Sequence, residues 1–253
     1  MKKEAYQILT EKEIYRGNLI LVNEKFGIRA DESIRLAEAA PNVFLQHEAA
    51  HFLKEALKKI KAEDSIALVS GFRSRREQSE IYKMSLSENG EAFTRQYVAL
   101  PDHSEHQTGL AIDLALKSDD IDFIRPDFPF EGICQRFREI AAEYGFIQRY
   151  PKEKENITGI AFEPWHFRYV GKPHAEIMER YGLTLEEYTD LVKDYDSFNR
   201  LKLNGDSAEE VFYIEFGLQS GEMKIPVSEK ESCTVSGDNR GGFIVTVTKF
   251  ERT

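Results

Sequence analysis

Two arrangements of histidine and carboxylate in this chain have the residue types and spacing to hold a metal ion. The first is His47-Glu48-Ala49-Ala50-His51, the HExxH pattern in which two histidines share a helix face with a glutamate. The second is dispersed. Ser104-Glu105-His106 leads through Gly109 to Asp113, and Glu163-Pro164-Trp165-His166 follows much later. His106, Asp113 and His166 make a three-ligand zinc set that leaves the fourth tetrahedral position for water or substrate. Glu163, a carboxylate just before the last ligand, is the candidate general base that metal-assisted hydrolysis requires. Arg73 offers a guanidinium for a carboxylate or a developing oxyanion, the alternative being an exposed salt bridge.

The elements that must carry these residues decide between the two. The pattern after Pro41 predicts a helix from about Asn42 to Ala62. At about 100° per residue, Ala49, Phe52, Leu53, Ala56, Leu57 and Ile60 gather on one face. His47 and His51 fall opposite, among Lys54, Glu55 and Lys58, and the HExxH letters read as a solvated helix face. No glycine and third histidine follow at the metzincin spacing. Around the dispersed set, Gly109 to Leu116 alternates as a strand. Leu110, Ile112, Leu114 and Leu116 take one face, and Ala111, Asp113 and Ala115 the other. A carboxylate on a face of small residues needs solvent or a cation, so that face is the expected floor of a cleft. Ser65 to Ser70 is a second strand, and Ser74 with Glu77 forms a capping box for a helix ending at Asn89-Gly90. Arg73 lies in the loop between them, a place where binding groups are often set. Further on, a helix is expected over Phe130–Tyr144, strands over Phe146–Tyr150 and Gly159–Val170, and a helix over Thr184–Phe198. His174, after Pro173, reads as a surface histidine at a helix start, and Trp165 as core.

From about Leu203 short alternating segments separated by turn residues predict a strand-rich C-terminal appendix. The expected organisation is therefore a catalytic domain over residues 1–202 and a small β appendix over 203–253. The fold class is α+β, a small antiparallel sheet with flanking helices around one cleft.

The longer stretches resemble a known family. SEHQTGLAIDL together with ITGIAFEPWHFRYVG is similar to the zinc D-Ala-D-Ala peptidases of the VanY and VanXY kind. SGFRSRREQ, with Arg73 and Gln78, resembles the same family's motif after its first core strand, and the likeness runs from about Leu19 to Gly171. It implies a hedgehog/D,D-peptidase-like fold with one zinc per chain on His106, Asp113 and His166. Glu163 would be the catalytic base, Arg73 would contact substrate oxygens, and Gln78 and Ser104 would lie in the same pocket. The implied substrates are dipeptides and peptides ending in D-Ala-D-Ala, and the implied role is glycopeptide resistance. One departure is Pro101-Asp102-His103, where Pro-Gly is expected, which bears on the loop's shape. The alternatives are an L,D-carboxypeptidase trimming the tetrapeptide stem and a zinc-containing binding module of the hedgehog type. A base at Glu163 favours an enzyme over the module.

Composition narrows the partners. A net charge of −10 over 253 residues lacks the basic footprint of nucleic-acid binding. No apolar stretch is long enough to span a bilayer, and the first residues show no apolar leader. With only Cys134 and Cys233, a reducing cytoplasm is the expected compartment.

Overall fold

Alternation along residues 111–116 builds the strand on which the site depends. The structure, a computed structural model, describes residues 5–29, 34–205, 207–217, 221–227 and 231–250. The chain opens with a strand, β1 (Ala5–Thr10), whose partner lies near the other end. Val22–Thr184 forms one compact unit; Met1–Leu21 and Leu185–Thr253 together form the other.

In the larger unit β2 (Leu36–Ala40) pairs with β3 (Val43–Gln46), and helix α1 (His47–Ile60) follows at once. The helix thus begins later than Asn42. Val43 and Leu45 are buried while Phe44 between them is exposed, a two-residue period that only a strand satisfies. Strand β4 (Ile66–Ser70) precedes helix α2 (Arg75–Tyr97). The Ser74–Glu77 capping box forms, and Gly90, non-helical at φ 80°, ends the first helical stretch at the expected place; a second stretch resumes across the kink. Strand β5 (Ala111–Leu116), helix α3 (Gly132–Ala141), strand β6 (Phe146–Tyr150), the short α4 (Glu155–Thr158), strand β7 (Glu163–Tyr169) and helix α5 (His174–Tyr181) complete the unit. Their main sheet is antiparallel, in the order β4-β5-β7-β6. Pro164 lies within β7 and does not interrupt it, close to an irregularity in the β6–β7 register. Leu53 and Ala56 of α1, Phe137 of α3 and Ile112, Leu114, Phe146 and Phe167 of the sheet share one apolar core. His174 is buried, contrary to the surface position its sequence suggests, because its turn packs into the unit rather than facing water.

The smaller unit differs from the expected appendix, since it takes in both ends of the chain. After α6 (Leu185–Leu191) and a single turn at Val192–Asp194 come β8 (Leu201–Lys202), β9 (Glu209–Glu215), β10 (Glu222–Val227), β11 (Glu231–Gly237) and β12 (Gly242–Lys249). The sheet order is β11-β12-β9-β8, and β1 pairs with β10. Backbone pairing explains the division. Gly237 N–H donates to the Arg16 carbonyl at 2.7 Å, and Leu21 N–H donates to that of Asp238 at 3.2 Å. A side chain at Gly237 would meet the Ile14 carbonyl oxygen at 2.0 Å, so only glycine permits this approach.

No helix among the described residues is long and apolar enough to cross a membrane. Cys134 is buried, Cys233 is partly so, and both are free thiols.

Candidate metal and active site

Sheet register brings the dispersed residues together. Asp113 on β5 stands opposite His166 on β7 and opposite Ser70 on β4. His106 reaches the same point from a tight turn, Glu105–Thr108, closed by Gly109 at φ 69°. That left-handed conformation favours glycine, and a side chain there would also press on Leu36 and Gln46. The result is one buried cluster, in which one candidate ligand atom from each of His106, Asp113 and His166 lies within 4.8 Å of the others. No other such group occurs among the described residues. His47, Glu48 and His51 are all exposed on α1 and belong to no metal group.

Each imidazole has one nitrogen turned to Asp113 and the other held. Nε2 of His106 lies 3.1 Å from Asp113 Oδ2, while its Nδ1–H donates to the Gly71 carbonyl at 2.7 Å. Nδ1 of His166 lies 3.0 Å from Asp113 Oδ1, and its Nε2 faces Glu105 Oε2 at 3.4 Å. Fixing the far nitrogen sets tautomer and ring orientation, as metal-binding histidines require. Two imidazoles and a carboxylate, so oriented, fit a divalent transition metal.

Glu105 was missed by sequence reasoning. Its carboxylate is fully buried, with Arg149 Nε and Arg168 Nη1 each 2.8 Å from Oε1. The available signal was an arginine in each of two strand segments rich in apolar and aromatic residues, FIQRY and HFRYV. A buried guanidinium demands an acid. Burial opposes ionisation of Glu105, but Arg168 and Arg149 hold its carboxyl far below the ordinary range.

Glu163 lies 3.7 Å from His166 Nδ1 and lines the pocket. Burial, with Asp113's charge adding and His166 and Arg73 opposing, pushes its carboxyl up to about 8. Asp113 shifts the other way: burial opposes its charge, and His106 and His166 overcome that. His106 is driven down by burial and by Arg73. His166 goes up to about 9, since its bonds to Asp113 and Glu105 outweigh burial.

The remaining expected residues line the same pocket: Arg73, Gln78 and Ser104. Arg73 Nη2 donates to Asp113 Oδ2 at 3.0 Å and its Nε to Ser70 Oγ at 2.8 Å, with Phe123 over the guanidinium. Gln78 Nε2 donates to the Ala99 carbonyl at 2.8 Å, which leaves its buried Oε1 without a partner. Trp165 is both core and pocket wall. At the expected Pro-Gly site, Asp102 adopts the glycine-like φ of 68° and accepts from Arg75 Nε at 2.7 Å.

Residues 42–172, which contain every one of these pocket groups, match the VanY D-alanyl-D-alanine carboxypeptidase family. The chain belongs to that family. The bifunctional D-Ala-D-Ala dipeptidase and D-Ala-D-Ala carboxypeptidase VanXYC of Enterococcus gallinarum is 43% identical over 179 residues, 69% of this chain and 94% of its own length. The fold is similar to that of vancomycin resistance D,D-dipeptidase VanXYg, solved with a D-Ala-D-Ala phosphinate analog. There the TM-score is 0.93 at 47% identity, covering 98% of this chain and all of that one. A VanY mutant from a VanB-type resistance cassette, solved in complex with Zn(II), matches at TM-score 0.57 and 30% identity over 68% of this chain and 98% of its own.

Proposed function

We propose that this family member is a zinc D,D-peptidase that hydrolyses D-Ala-D-Ala ends, both as the free dipeptide and on peptidoglycan precursors. The observation that carries the reading is the convergence of His106, Asp113 and His166 with Glu163 and Arg73 on one buried pocket. One zinc held by the first three would polarise the scissile carbonyl and make water more acidic. Glu163, beside the ligands in the same pocket, takes a proton from the attacking water and returns it to the leaving amine. Arg73 presents guanidinium N–H groups to substrate oxygens and steadies the oxyanion. Gln78 Oε1, a buried acceptor without a donor, is set to receive a substrate N–H. Ser104 closes the same wall.

Removing terminal D-Ala-D-Ala takes away the target of glycopeptide antibiotics, so resistance is the biological role. A cytoplasmic place of action belongs to the reading, and unpaired thiols at Cys134 and Cys233 agree with a reducing compartment. Cell fractionation checks it.

The test is Glu163→Gln. The variant should bind one zinc per chain like the parent, because the ligands remain. D-Ala release from D-Ala-D-Ala and from pentapeptide should fall by about 10²–10⁴ in kcat. Near-parental turnover with zinc bound would sink the mechanism. Release from tetrapeptide at rates above those two substrates would favour an L,D-carboxypeptidase instead.

A further inference from the structure

The pocket around Arg73, Glu163 and His166 encloses a cavity of only about 50 Å³, room for a few water-sized groups. Beside it lies a second cavity of about 400 Å³, within the range of ligand sites. Val98, Ala99, Tyr150 and Ile160 line both, so the two are chambers with a common wall. Past that wall the larger chamber is bounded by Glu24, Tyr82, Arg95, Leu100 and His103. Gly159, also in its lining, carries no side chain into it, and open space surrounds the place a Cβ would take.

The asymmetry of the reaction decides which part of a substrate goes there. A peptidase that releases one C-terminal residue has a leaving group of fixed and small size. Only the acyl side varies in length, and the small chamber has no space for residues beyond those of a dipeptide. We infer that the larger chamber binds the residues N-terminal to the scissile bond in peptides longer than a dipeptide. The inference rests on the D,D-peptidase reading and adds where the remainder of the peptide lies. The lining suits such an occupant. Tyr82, Leu100 and Ile160 supply apolar surface, and Arg95 and Glu24 supply one charge of each sign, a mixture fitted to a short peptide rather than to an apolar ligand. His103 is held by its Nδ1, 2.7 Å from the Asn23 carbonyl, so this part of the wall is built rather than loose.

Leu100 and Arg95 line the larger chamber and not the smaller, and neither is part of the buried core, so they can be changed without opening it. Leu100→Trp narrows the chamber and Arg95→Glu reverses its cation. In the zinc-loaded full-length protein, each should lower kcat/KM for an N-acylated pentapeptide ending in D-Ala-D-Ala by about tenfold or more. Turnover of free D-Ala-D-Ala should stay within about twofold of the parent. By calorimetry, the affinity of the product peptide ending in a single D-Ala should weaken in the same proportion as the pentapeptide's kcat/KM. Equal effects on dipeptide and pentapeptide, or none on either, would overturn the assignment of the chamber. A parent protein that releases D-Ala from neither substrate would overturn the D,D-peptidase reading itself, a separate outcome.

Discussion

His47 and His51 sit on successive turns of α1 with Glu48 between them, while His106 and His166 come from a turn and a strand far apart in the chain. The helix pair has the more compact motif, yet its side chains face water and neither ring belongs to a metal-holding group. The dispersed pair is buried, its rings 5.0 Å apart, each with one nitrogen near Asp113 and the other engaged by Gly71 or Glu105. The difference is one of support. A ligand set needs a common, partly desolvated point and held far nitrogens, and spacing along a helix provides neither.

If support is what separates the two pairs, removing it should cost most. Glu105→Ala leaves Arg149 and Arg168 buried without their carboxylate. Loss of one partner from a buried ionic group should destabilise by about 3–5 kcal/mol, read by chemical denaturation. Zinc affinity should fall by about 10–100-fold as His166 loses its orienting partner. A variant within 1 kcal/mol of the parent, with metal affinity intact, would mean that Glu105 supports nothing.

A second test contrasts a buried histidine outside the cluster with the exposed ones. Burial pushes His174 down to about 3. The unfolded value is about 6.5, so between these limits the unfolded chain binds a proton that the folded chain does not. The stability due to neutral His174 is thus present in full above about pH 6.5 and is lost as pH falls. Between pH 6.5 and 4.5 the parent should lose about 2–3 kcal/mol more than His174→Gln, measured by denaturant midpoints at each pH. Parallel pH profiles would show that His174 is not held neutral.

The smallest effect belongs to the helix pair. His47→Ala with His51→Ala should leave zinc content and turnover unchanged, and stability within about 0.5 kcal/mol. Metal loss in this double variant would reverse the comparison.

Much of the site was legible because the signals were local. The alternation from Leu110 to Leu116 fixed which way Asp113 points, and Gly109 marked the turn carrying His106. The missed features depend on residues distant in sequence. Val43–Gln46 is four residues of strand run directly into α1, too short to break the helical pattern on its own. His174 follows a proline like any helix start, and its burial comes from tertiary packing. Glu105, Arg149 and Arg168 are three unremarkable charges until the register of β6 and β7 brings the arginines to one carboxylate. The division into units was hidden for the same reason, since nothing in Ala5–Thr10 names Glu222–Val227 as its partner.

That last pairing has a consequence in time. A chain is made from its N-terminus, and domains generally fold in the order in which they emerge. Here Val22–Thr184 is complete while the residues that close the other unit are still to be translated. The larger unit can therefore reach its native state on the ribosome, whereas β1 must wait for β10, which is made only after the whole of that unit. Strand β1 is made before the larger unit and paired only after it.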